Sequence, residues 1–151
     1  MKNIMSQAIV LAVMLGCSLS AADASDGSKG ATMNQMVITI GPKNFTATLA
    51  ENPTATAFKA MLPLTVNMAD LNDNEKVVSL SANLPSDDSN PKQIQAGDLM
   101  IWSSRSLVLF YKSFPTSYSY TRLGRINDIS GLAAAVGARN ATVTFELQPR
   151  K

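Results

Sequence analysis

Arginines set close to tyrosines are the residues of this chain best suited to chemistry. A guanidinium can grip a carboxylate through paired N–H donors or lie flat against a planar ligand, and a neighbouring aromatic ring extends either surface. Tyr118-Ser119-Tyr120 runs almost directly into Arg122-Leu123-Gly124-Arg125. Tyr118, Tyr120, Arg122 and Arg125 are therefore candidate ligand-binding residues, with Trp102 and Phe110 as candidate walls of a pocket. Each also has an ordinary structural use. Tyrosines at alternate strand positions commonly decorate a sheet surface, and surface arginines are commonly solvated or ion-paired. Trp102 and Phe110 suit core packing.

Other patterns exclude more than they suggest. The sequence has no histidine, so a Ser-His-Asp triad cannot be built. Its one cysteine, Cys17, can form neither an intrachain disulfide nor a zinc site of the Cys and His type. Asp70, Asn72 and Asn74 alternate as the first ligands of a calcium loop do. The sixth position, however, is Glu75 rather than glycine, and the twelfth is Ser81 rather than glutamate, so a solvated turn is expected. Ser89-Asn90-Pro91-Lys92 matches a Ser-x-x-Lys pattern but lies in a polar stretch with no helix to position it. Asp87, Asp88 and Asp98 show no spacing that selects paired-carboxylate chemistry. No glycine-rich phosphate loop is present. Neither catalytic residues nor a metal or cofactor site is read from the sequence. The 13 lysines and arginines against 11 acids leave a net charge of +2 and are scattered, which argues against nucleic acid as a partner.

The elements that must position these residues are mostly strands. Met36–Ile40 and Phe45–Leu49 flank Gly41-Pro42-Lys43-Asn44 and read as a hairpin. A helix follows, with Asn52 as its cap, Pro53 in its first turn, Phe58, Met61 and Leu62 on one face and Pro63 at its end. Short strands are expected at Leu64–Met68 and Val77–Leu80, and a surface loop at Ser86–Gln95. Leu99–Trp102 and Leu107–Tyr111 are apolar on both faces, which suits strands covered on both sides. Tyr118–Ile126 is a further strand, and Ser130–Gly137 a two-turn helix capped by serine and stopped by glycine. In Ala141–Leu147, alternation turns Val143, Phe145 and Leu147 inward. Seven or eight short strands and two short helices predict a mainly β protein, an antiparallel barrel closed or nearly closed.

One domain is expected, over 35–148. Residues 1–24 read as an export signal: Lys2 gives a positive start, Ala8–Gly16 an apolar run, and small residues follow. The run is about half of the roughly 20 residues a spanning helix needs. Ala22-Asp23-Ala24 fits ordinary cleavage before Ser25, whereas Met14-Leu15-Gly16-Cys17 resembles a lipobox that would place a lipid on Cys17. Soluble release is the favoured route. Residues 25–34 are a small, polar, flexible spacer.

The opening hairpin, the helix Asn52-Pro53-Thr54-Ala55-Thr56-Ala57-Phe58 and the exit Leu62-Pro63-Leu64 form one part of a wider pattern. The rest is Ala96-Gly97-Asp98-Leu99-Met100-Ile101-Trp102, Leu109-Phe110-Tyr111 and Leu123-Gly124-Arg125-Ile126. In combination these resemble the bacterial cyclophilin-like domain family, over residues 35 to 147. The resemblance implies a cyclophilin-type barrel of antiparallel strands with helices closing its ends, and it implies little about activity. True cyclophilins isomerise prolyl bonds with an arginine in a Phe-His-Arg type segment beside a hydrophobic groove. No segment here matches it. The expected function is accordingly a non-enzymatic binding or accessory domain of the cell envelope, its ligand a small molecule or peptide and its only membrane contact a lipid on Cys17. The alternative is a divergent prolyl isomerase using Arg105, Arg122 or Arg125.

Overall fold

The computed structural model describes residues 33–150, so the expected export signal, Cys17 included, and most of the expected spacer lie outside the described residues. The alternating stretches become ten strands. They are β1 (Gln35–Ile40), β2 (Lys43–Leu49), β3 (Leu64–Leu71), β4 (Glu75–Ser79) and β5 (Gln93–Ile94), then β6 (Asp98–Trp102), β7 (Ser106–Phe110), β8 (Phe114–Pro115), β9 (Thr121–Ile126) and β10 (Ala141–Leu147). Eight of them close an antiparallel barrel in the order β1-β10-β3-β4-β7-β6-β9-β2, with β2 returning to β1. The other two, β5 and β8, pair with each other outside it.

Turn chemistry sets the register of the hairpins. Gly41 takes a positive φ of 56° between β1 and β2, and Ile40 lies opposite Lys43. Asn72 and Asp73 hold left-handed conformations between β3 and β4, as Ser103 and Ser104 do between β6 and β7. Short polar side chains tolerate that region because they bond locally to the backbone. Asp70, in β3 just before the first of these turns, adds a local bond of its own: its Oδ2 accepts the Asp73 N–H at 3.2 Å.

Two apolar clusters share the barrel wall. The inner one includes Ile38, Met68, Leu99, Ile101, Leu109 and Val143 and fills the barrel. Across it, Phe58 of the helix Pro53–Lys59 meets Phe145 edge-on at 5.8 Å. Burying a side chain of this size contributes about 1.5–3 kcal/mol, enough to hold so short a helix over the barrel. The outer cluster is Met100, Val108 and Phe110 on the outward face of β6 and β7, covered by Ile94, Phe114 and Tyr120. The double-sided apolar runs of β6 and β7 follow directly: one face lines the barrel, and the other carries the small β5–β8 flap.

Several expectations change. Ser86–Gln95 is not surface loop throughout, because Gln93–Ile94 forms β5 and Ile94 is fully buried under the flap. Strand β3 runs on to Leu71, which leaves only Asn72–Asn74 as the turn before β4. Strand β9 begins at Thr121 rather than Tyr118. Serine does not cap the second helix, Leu132–Val136; its N-cap is Gly131 at φ 79°, with no side-chain bond. Leu147 is exposed: it still pairs with Met36 of β1, but the ladder from β10 to β3 ends at Phe145, and only Val143 and Phe145 of the predicted inward set are buried.

Candidate functional site

At one end of the barrel a cleft of about 220 Å³ lies between the start of the first helix, the segment Pro85–Ser89 and the start of β9. Hydrogen bonds fix all three walls. Asn52 Oδ1 accepts the Ala55 N–H at 2.8 Å, while its Nδ2 donates to the Arg122 carbonyl at 2.7 Å, so one side chain caps the helix and ties it to β9. Thr54 Oγ1 donates to the Pro85 carbonyl at 2.6 Å. Thr121 Oγ1 accepts the Asp87 N–H at 2.9 Å and donates to Asp88 Oδ1 at 2.6 Å. Ser89 and Tyr120 exchange two backbone bonds at 2.9 and 3.0 Å. The cleft is preformed, with Pro53 and Pro85 as apolar surface among polar neighbours.

Of the five residues predicted to bind ligand, Arg122 alone lines this cleft. Its guanidinium has no hydrogen-bond or ion-pair partner among the described residues. Arg125 has one: Nε and one terminal nitrogen both reach Asp98 Oδ1, at 2.9 and 2.8 Å. Asp98 is buried, and its Oδ2 accepts the Gln95 N–H at 2.8 Å, so this pair locks the entry to β6. Arg122 and Arg125 are three residues apart yet both exposed because β9 bulges against β6. Leu99 pairs with Gly124 and Met100 with Arg122, leaving Leu123 as the extra residue. Arg105, the third arginine considered, donates from Nε to the Leu80 carbonyl at 2.6 Å.

The aromatic candidates separate. Tyr118 is 65 % exposed and outside any strand. Tyr120 is buried, edge-on to Phe110 at 5.6 Å, where burial is the main cause pushing its hydroxyl up. Trp102 is neither core nor cleft wall; it ends β6 at 48 % exposure. Phe110 belongs to the outer cluster.

Sequence reasoning left unread a polar stopper at the barrel end where β3 turns into β4. Lys76 is fully buried. Its Nζ donates to Asp70 Oδ1 at 2.9 Å, to the Gly137 carbonyl at 2.8 Å and to the Arg139 carbonyl at 2.5 Å. The Tyr111 hydroxyl donates to the same Asp70 oxygen at 2.6 Å. These two bonds, Tyr111 first and Lys76 second, hold the Asp70 carboxyl below the usual range, and burial pushes Tyr111 up. All three ammonium donors are used, which makes this a structural tie between the 137–139 loop and the barrel. Period-2 alternation could have found it, since Lys76 shares its phase with Leu80 of the core and with Val78, which packs against it. Among the described residues no set of three His, Cys, Asp or Glu side chains could hold a metal ion.

Residues 38–146 match the family model described as the cyclophilin-like family. The solution structure of a hypothetical protein from Archaeoglobus fulgidus is similar in fold, with a TM-score of 0.54 at 20 % identity over 78 % of this chain and 97 % of that one. No curated protein gives a significant match.

Proposed function

The chain belongs to the cyclophilin-like family, and from that premise we propose that it is a non-enzymatic binding domain of the bacterial cell envelope, holding a carboxylate-bearing small molecule or extended peptide in the cleft beside Arg122. One observation carries this reading. Arg122 lines a preformed cleft without an internal partner, whereas Arg105 and Arg125 are spent on Leu80 and Asp98. The cleft's volume of about 220 Å³ is below the roughly 300–1,000 Å³ usual for small-molecule pockets, which favours the end of an extended chain over a bulky ligand. Ser89 and Asp87 stand beside Arg122 in the lining; the Ser89 hydroxyl would donate to the bound carboxylate, and the Asp87 carboxylate, which repels that group, would accept a backbone N–H further along the peptide.

The outer cluster supports a binding role over prolyl isomerisation. Met100, Val108 and Phe110 are covered by Ile94, Phe114 and Tyr120, so their apolar surface is already filled. Short peptides with free and with amidated C-termini, titrated into the labelled protein, test the proposal. Saturable NMR shifts at Ser86–Ser89 and Arg122 are expected with the free terminus. Affinity should fall about tenfold or more on amidation or in Arg122→Ala, the loss of one charge-assisted contact. In a protease-coupled proline-peptide assay no turnover above background is expected. Turnover that vanishes in Arg122→Ala, or equal binding of both peptide forms, would overturn the reading.

A further inference from the structure

The barrel wall is not equally tight all the way round. Strand β3 pairs with β10 over Leu64–Met68 but meets β4 only over Ala69–Leu71. Leu64–Met68 thus borders a seam that opens toward the end of β4. Which main-chain groups face that seam follows from the first hairpin. Gly41-Pro42 is a two-residue turn, so Ile40 and Lys43 bond to each other through N–H and C=O. Alternation then turns Thr39 to Thr144, and turns Val143 and Phe145 away from β1 toward Val66 and Leu64. Thr65 and Asn67 are left with N–H and C=O directed across the seam. They make no ladder bond there, and no bond to a loop or turn among the described residues.

The side chains along the seam define what would fit it. Leu64 and Val66 share the inward face of their partners Phe145 and Val143. Those partners are sealed, whereas Leu64, Val66 and Val78 of β4 are only half-buried against the core. Thr65, Asn67 and Ser79 alternate outward and are exposed. No residue of Leu64–Met68 or Val78–Leu80 is charged, so an ionic side chain entering the seam would lose water and gain no partner. An extended, uncharged chain that alternates apolar with polar residues complements both the backbone and the side chains. A folded second copy fits less well, because the Leu64–Met68 edge falls far short of the roughly 20–30 residues a side that a stable interface uses.

We propose that the free flank of β3 binds an uncharged extended peptide as an added antiparallel strand, with its apolar side chains set inward beside Leu64, Val66 and Val78. Thr65 and Asn67 supply the main-chain donors and acceptors. The site is separate from the Arg122 cleft, since β9 borders neither β3 nor β4. It needs no free carboxylate and does not depend on the reading of that cleft.

The probe is acetyl-Thr-Val-Thr-Val-Thr-amide, blocked at both ends so that it offers Arg122 no carboxylate. Titrated into a dilute solution of the full chain, it should slow hydrogen exchange of the Thr65 and Asn67 amides saturably, by about tenfold or more, and leave Ser86–Ser89 unmoved. The same peptide N-methylated at its threonines, whose N–H groups would face β3, should give no protection. Nor should the analogue with lysine in place of valine. Asn67→Pro should keep its fold, because the N–H it removes has no partner and a strand edge tolerates proline, and should lose the protection at Thr65. No protection by the parent peptide, equal protection by the methylated or lysine form, or protection undiminished in Asn67→Pro would each overturn the proposal. Unfolding of Asn67→Pro would overturn it as well, since that N–H would then be part of the ladder.

Discussion

Glu75 and Lys76 are neighbours in β4, and the pleat of the strand sends the first out of the barrel and the second into it. Their opposite settings give the protein two opposed responses to pH. Asp70, bonded by Tyr111 and Lys76, titrates below its ordinary 3.8 in the folded state. Its stabilising contribution is therefore complete above that value and is lost as pH falls through the lowered one. Glu75 titrates above its ordinary 4.5, so its sign is reversed. Folding is penalised as pH climbs from 4.5 through the raised value and Glu75 gives up its proton. Thermal unfolding from pH 2 to pH 7 should show Tm rising on the acid side and then losing part of the gain above pH 4.5. Glu75→Gln should remove only the second effect; a decline that persists in the variant would place its source elsewhere. Little of this was legible in the sequence. The Asp70–Glu75 stretch reads as a solvated turn because proximity in the chain hides the Tyr111 and 137–139 partners, which only barrel closure brings near.

Among the elements, β9 bears the closest tolerance. A side chain at Gly124 would put its Cβ 2.5 Å from the Thr48 carbonyl and 3.1 Å from Leu49 Cα, both backbone atoms of the neighbouring β2. Backbone cannot step aside as a flexible side chain can. Gly124→Ala should thus cost about 1–3 kcal/mol, read as a lowered urea midpoint, by prising β2 from β9 where Leu49 faces Gly124. An unchanged midpoint would mean that this seam is looser than the geometry implies. The hairpins and the first helix were legible because their signals are local: Asn52 and Pro53 mark a helix start, and alternation marks the strands. The flap was not. Ile94 and Phe114 sit in short polar stretches, and two-residue strands carry no period to detect.

For the whole molecule, the barrel could be anticipated from its pattern and its family resemblance, but the cleft could not. Residues near 52, 87 and 122 meet only because the helix and the 85–89 segment cross the same barrel mouth. Export belongs to this scale too, as the proposed setting of the binding role. Mass spectrometry of protein recovered from a bacterial envelope fraction should find a mature chain beginning at Ser25, and a lipid-modified Cys17 at its start would point to anchoring instead. The closed ladder has a bearing on crowded solution as well. Each of the eight barrel strands has a neighbour on both sides, but the seam between β3 and β4 is short. Strand β3 pairs with β10 over Leu64–Met68 and with β4 only over Ala69–Leu71, so the Leu64–Met68 backbone keeps one flank without a ladder partner. At high concentration, backbone pairing between copies should therefore begin on that flank of β3 rather than around the rest of the ring.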